Sequence, residues 1–74
     1  MTVLIRPMGM LKDYIGGQKE TAVAAGRTVR EAMTELGIPP DVAALVLVND
    51  VPQDKDFVLQ DGDIVKLMAV IGGG

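Results

Sequence analysis

The glycines that close the sequence are the residues whose type and position most directly suggest chemistry. They are Gly72, Gly73 and Gly74. Glycine packs no side chain and loses much conformational entropy on folding, so this run adds nothing to stability. A terminal carboxylate is unreactive until an enzyme activates it, and a segment without Cβ atoms can enter such an enzyme's site in extended form. The alternatives are a disordered end and a remnant of an expression vector.

Side chains of the usual catalytic and metal-binding types are scarce. The sequence contains no Cys and no His, which removes the commonest metal ligand, the usual general base near neutral pH and any disulfide framework. Several aspartates lie in predicted turns, where structural and solvated roles are usual. They are Asp50, Asp54, Asp56, Asp61 and Asp63. We therefore expect a chain that binds no metal or cofactor and is not an enzyme by itself.

Length and charge limit both the fold and the partners. Seventy-four residues form one small domain, in which nearly every apolar residue must be buried to offset the entropy of folding. A net charge of −3 argues against nucleic acid or an anionic membrane as partner. Residues 1–37 carry five basic and four acidic side chains, and residues 38–74 carry two and six, so we expect the C-terminal half to attract a basic partner. No leader or membrane-spanning run is evident, and a cytoplasmic location is expected.

One helix is predicted in the middle of the chain. Thr28 and Glu31 have the spacing of a capping box, in which each side chain hydrogen-bonds to the backbone N–H of the other. The residues that follow place one apolar stripe at helical spacing, and Gly37 supplies the stop. The stripe consists of Val29, Ala32, Met33 and Leu36.

Apolar runs predict strands on both sides of this helix. Residues 2–6, 19–23, 44–48 and 64–70 have strand-like patterns, and residues 51–52 form a shorter piece. The run at 44–48 is continuous and apolar, as expected of a strand covered on both sides or lying inside a sheet. This order predicts an α+β domain of the β-grasp type, with a mixed sheet of four to five strands and one main helix across one face. We expect the domain to span residues 1–71 and residues 72–74 to form a flexible glycine tail.

The whole chain resembles the MoaD/ThiS family of ubiquitin-like sulfur carrier proteins. The resemblance consists of the opening strand, the motif Gly26-x-Thr28-Val29-x-Glu31-Ala32, the run Leu45-Val46-Leu47-Val48-Asn49, the turn Asp61-Gly62-Asp63 and the terminal glycines. The order and spacing of these pieces make the combination specific. One departure is Asp50, where the family more often has Gly. Asp also tolerates a positive φ, so we expect the turn to be kept.

The resemblance implies that the carboxylate of Gly74 is the reactive group. In this family a ubiquitin-activating-like adenylyltransferase uses ATP to adenylate the terminal carboxylate, which becomes a thiocarboxylate. The carrier then delivers sulfur to a synthase, either with the large subunit of molybdopterin synthase or with thiazole synthase in thiamin biosynthesis. The segment 8–17 after the first strand resembles the molybdopterin branch and favours it slightly. Gly73 shares the reactive tail with Gly74.

Three other functions are compatible with the same sequence. A ubiquitin-like modifier would form an isopeptide bond between Gly74 and lysines of other proteins, and some relatives supply sulfur for tRNA thiolation. A third possibility is a non-covalent binding module.

For the activating enzyme, we expect a contact surface made by Lys66 and Met68 on the last strand, with an acidic turn nearby. The surface is expected to continue into Ile71 and Gly72.

Overall fold

The computed structural model describes residues 1–69, which form a single five-stranded mixed sheet with one α-helix and two short 3-10 helices. The sheet and helix elements are β1 (Thr2–Pro7), β2 (Thr21–Ala24), α1 (Val29–Glu35), β3 (Ala43–Val48), β4 (Val51–Pro52) and β5 (Ile64–Ala69). The 3-10 helices span Gly9–Ile15 and Pro40–Val42. The expected boundary between residues 71 and 72 lies outside the described residues.

The strand order across the sheet is β2-β1-β5-β3-β4. The first and last strands, β1 and β5, lie side by side in the centre and run parallel, with Ile5 opposite Val65. The remaining neighbours are antiparallel. This is the predicted mixed sheet of the β-grasp fold, and the prediction of an α+β class with up to five strands is confirmed.

The helix has the predicted cap and the predicted buried stripe. The Glu31 N–H donates to Thr28 Oγ1 at 3.1 Å, and the Thr28 N–H donates to Glu31 Oε1 at 2.8 Å. Val29, Ala32 and Met33 are almost fully buried and pack in one core with the inner face of the sheet. Because the capping box satisfies two N–H groups at the helix start, even seven residues form a defined helix.

The strand β3 decides between the two interpretations of the apolar run 44–48. It lies inside the sheet between β5 and β4, but only one of its faces is buried. Val46 and Val48 point into the core, whereas Leu45 on the opposite face is 40% exposed. Of the two alternatives, the position inside the sheet is therefore the one observed, and cover on both faces is not. One helix can cover only one face of a sheet this wide.

The segment between β4 and β5 closes one edge of the core. The sequence predicts that Phe57, Val58 and Leu59 all pack at an edge of the core. Leu59 is fully buried and Phe57 packs partly against the core, but Val58 is 47% exposed. The Leu59 N–H donates to the Arg27 carbonyl at 2.8 Å, which holds the segment against the start of α1. The segment is extended here, so neighbouring side chains point to opposite sides and Val58 faces away from the core.

Candidate functional site

The candidate site is the end of β5, the strand that leads to the terminal glycines. Lys66 and Met68 both belong to β5 and are half-buried on the sheet face away from α1. Their neighbours Val65 and Leu67 point the other way and are fully buried. The other predicted site residues, Ile71, Gly72, Gly73 and Gly74, lie outside the described residues.

The sheet face that carries Lys66 and Met68 combines apolar and charged side chains. Met68 lies opposite Leu45 of β3, and Lys66 lies between Arg6 of β1 and Leu47 of β3. Met68, Leu45 and Leu47 form an apolar strip on a face that no helix covers among residues 1–69. An accessible strip of this composition is typical of protein-binding surfaces.

The turn between β3 and β4 orients Lys66. Asn49 and Asp50 both have positive φ, 52° and 69°, as the two central residues of a type I′ hairpin turn require. Asp50 Oδ1 accepts a hydrogen bond from Lys66 Nζ at 2.9 Å. The departure from the family's glycine therefore keeps the turn and adds an ion pair to the predicted surface.

The turn at residues 61–63 is hydrogen-bonded to Asn49 but has a different function. It comes just before β5, so it lies at the opposite end of the strand from Ala69, roughly 20 Å away at about 3.3 Å per residue. It therefore does not border the end of β5. Of the acidic turns, the one that reaches the predicted surface is the turn containing Asp50.

The carboxylates of the turn at residues 61–63 and of the helix cap stabilise the fold. The charged N-terminus and the Thr2 N–H hydrogen-bond to Asp61 and hold the pKa of its carboxyl below the ordinary value. Hydrogen bonds from the backbone and side chain of Thr28 lower the pKa of Glu31 in the same way. Asp63 is almost fully buried and accepts hydrogen bonds from Asn49 and from the Gln60 N–H, both at 2.8 Å. These bonds give each of the three carboxylates a structural role.

A groove that the sequence did not reveal lies on the other side of the end of β5. Its volume is about 520 Å³, and its lining is largely apolar. Most of it comes from the first 3-10 helix, and the lining residues are Met10, Leu11, Asp13, Tyr14, Val42 and Ala69. Leu11 anchors the helix in the core, whereas Met10 is 69% exposed and Tyr14 44% exposed. A large thioether and a tyrosine ring in one predicted loop segment were the signals that could have indicated this surface.

The described residues contain no cluster of three side chains suited to hold a metal ion. Within residues 1–69, no helix has the length and apolar character needed to span a membrane. Both findings concern the described part of the chain.

The fold is that of a small ubiquitin-like β-grasp protein. The model of the ThiS family matches residues 6–74, and the chain belongs to that family. The predicted resemblance to MoaD/ThiS sulfur carriers is thereby confirmed. These are small carrier proteins or subunits, in agreement with the expectation that the chain is not an enzyme by itself. No curated protein matches the sequence.

Solved structures from three organisms share the fold. SAMP1 from Haloferax volcanii has 18% identity and a TM-score of 0.72, with both chains covered completely. A chain from the complex of subunits 1 and 2 of the molybdopterin-converting factor from Helicobacter pylori has 25% identity and a TM-score of 0.65, again with full coverage of both chains. Urm1 from Trypanosoma brucei has 20% identity and a TM-score of 0.73, with 99% of this chain and 95% of that chain covered.

Proposed function

We propose that this protein carries sulfur as a thiocarboxylate on Gly74. A carboxylate oxygen of Gly74 attacks the α-phosphorus of ATP in a separate adenylyltransferase, and pyrophosphate leaves. A hydrosulfide anion then attacks the acyl carbon of the adenylate and displaces AMP, and after loss of a proton the product is a thiocarboxylate with sulfur in place of one carboxylate oxygen. The observation that carries the proposal is the ThiS family match, which extends through the three glycines. The chain itself supplies no catalytic side chain in this scheme.

The partner-binding surface in this proposal is the outer face of β5 together with the segment that follows it. Met68 and Leu45 offer apolar area, and the Lys66–Asp50 pair borders them. Ile71 and Gly72 connect this surface to the reactive end. An enzyme that binds this face would also orient the glycines toward its ATP site. Orienting the reactive carboxylate in this way lowers the entropic cost of the reaction.

Molybdopterin is the favoured sulfur acceptor over the thiazole of thiamin. Segment 8–17, which resembles the molybdopterin branch, folds into the 3-10 helix Gly9–Ile15 and forms most of the apolar groove beside Ala69. A solved complex of two molybdopterin-converting factor subunits contains a chain of the same fold at 25% identity. The partner would then be the large subunit of a synthase.

Intact mass spectrometry tests the proposal directly. The protein is isolated from its native host under non-reducing conditions that preserve thiocarboxylates, and the expected product has one oxygen replaced by sulfur. A variant extended by one alanine after Gly74 should never acquire sulfur, because the reactive carboxylate is displaced. A sulfur-free protein found in covalent conjugates with other proteins would instead indicate the ubiquitin-like modifier. Normal thiocarboxylation of the extended variant would refute the proposal.

The same measurement tests the partner surface. Met68→Asp places a charge in the apolar strip and should lower the thiocarboxylated fraction in the host. Val58→Asp is the matched control, since Val58 is 47% exposed and lies outside the strands of the sheet. Circular dichroism first establishes that both variants are folded. Equal thiocarboxylation of the two variants would refute the assignment of the partner-binding surface but not the proposed chemistry at Gly74.

A further inference from the structure

A second groove on the outer side of the sheet is basic, although the chain as a whole is acidic. Its volume is about 390 Å³. Of the seven basic side chains of the protein, four line it, together with a single carboxylate. The charged lining residues are Arg6, Lys12, Lys19, Lys66 and Glu20. The charge of the groove lining is therefore positive, whereas the net charge of the whole chain is −3.

The fold, not the order of residues along the chain, assembles this groove. Arg6 and Lys66 are direct neighbours on the parallel strands β1 and β5, and both lie on the face away from α1. Lys12 comes from the first 3-10 helix, and Lys19 precedes β2. Since β1 and β5 run in the same direction, the groove lies toward the end of the sheet at which β5 reaches Ala69.

Two of the four cations have partners within the protein. Arg6 Nε lies 3.0 Å from Glu20 Oε1, and Lys66 Nζ lies 2.9 Å from Asp50 Oδ1. These carboxylates are 42% and 78% exposed, and ion pairs at such sites are weak enough to be exchanged for others. Lys12 and Lys19 form no ion pair with any residue in the range 1–69. The groove therefore presents uncompensated positive charge.

We propose that this basic groove is a docking surface for an acidic segment of a partner protein. The four cations come from separate elements and line an open groove, an arrangement that suits a polypeptide with several carboxylates. A small anion would be held better by donors that converge on one point, such as adjacent backbone N–H groups. Met8, which is 40% exposed, adds an apolar contact at the same groove. The proposal holds whether or not Gly74 carries sulfur.

Charge complementarity of this kind also affects the direction of approach. An acidic segment is drawn by the groove toward the end of the sheet where β5 reaches Ala69, and such steering raises association rates at low salt. The sequence alone predicted the opposite partner, because the acidic side chains outnumber the basic ones in residues 38–74. In the folded protein, Lys66 of that half joins three basic residues of the other half.

The proposal is tested with a short fluorescein-labelled polyglutamate peptide. The amides of ¹⁵N-labelled protein are followed by nuclear magnetic resonance at low ionic strength, and affinities are measured by fluorescence anisotropy. We expect the largest shifts at Lys12, Lys19 and Lys66, and an affinity that falls as salt is raised. Lys12→Gln and Lys19→Gln should each weaken binding about two- to fivefold. The matched control is Lys55→Gln, which removes the same charge outside the groove and should leave the affinity unchanged.

Three results would overturn the docking surface. The first is an equal loss of affinity in Lys55→Gln, because binding would then reflect net charge alone. The second is inorganic phosphate producing the same shifts with the same affinity at matched ionic strength, which would indicate a small-anion site. The third is an absence of peptide-induced shifts at the groove residues. None of these results bears on the thiocarboxylate, which the mass measurement tests separately.

Discussion

Replacing Asn49 by alanine tests how the turn after β3 is joined to the start of β5. Asn49 Nδ2 donates to Asp63 Oδ1 at 2.8 Å, and Asn49 Oδ1 accepts from the Ile64 N–H at 2.9 Å. The residue also has a φ of 52°, a conformation that L-residues other than Asn and Asp adopt at a cost. Alanine therefore removes two hydrogen bonds and adds backbone strain.

The expected loss can be assembled from these three contributions. A hydrogen bond to a carboxylate contributes about 1.5 to 3 kcal/mol, and Asp63 is almost fully buried. The bond from the Ile64 N–H is exposed and contributes about 0.5 kcal/mol. The positive φ costs alanine about 1 kcal/mol. We expect Asn49→Ala to lower the free energy of unfolding by about 3 to 4.5 kcal/mol, out of about 4 to 11 kcal/mol for a chain of this length.

Urea unfolding followed by circular dichroism measures this loss. Asn49→Gly is the matched variant, because it removes the same hydrogen bonds but tolerates the positive φ. Glycine's greater flexibility in the unfolded state offsets part of that advantage, so we expect Asn49→Gly to be more stable than Asn49→Ala by less than about 1 kcal/mol. A loss below 1 kcal/mol for Asn49→Ala would refute the assigned role of the network. A glycine variant less stable than the alanine variant would refute the strain argument.

Two further predictions concern the helix. Met33→Ala removes a side chain that is 1% exposed and should lower the free energy of unfolding by about 2 to 5 kcal/mol. The control is Met10→Ala, at a side chain that is 69% exposed, which should change the free energy of unfolding by less than about 0.5 kcal/mol. Urea unfolding measures both. Because the pKa of Glu31 is lowered in the folded protein, its stabilising effect is complete above the ordinary glutamate pKa and is lost as the pH falls through the lowered value. The stability advantage of the wild type over Glu31→Gln should therefore shrink as the pH falls below the ordinary glutamate pKa. An advantage that is constant with pH would contradict the capping geometry.

Local interactions explain why much of the fold was predictable. The capping box of α1 joins residues three apart, and the turn at Asn49 and Asp50 depends on the conformations open to those two residue types. Alternation along β5 likewise separates Val65 and Leu67, which lie in the core, from Lys66 and Met68 on the opposite face. In each case the residues that determine the geometry are close together in the chain, so their pattern can be read directly from it.

By itself, the sequence determined the class of the fold, the capped helix and the glycine end, because each depends on residue type and short spacing. Only the tertiary structure decided which surfaces border the end of β5. The parallel pairing of β1 with β5 brings Arg6 beside Lys66, sixty positions along the chain, and folds segment 8–17 against the same strand. Contacts at such separations follow from strand order and direction, which no local pattern of residue types encodes.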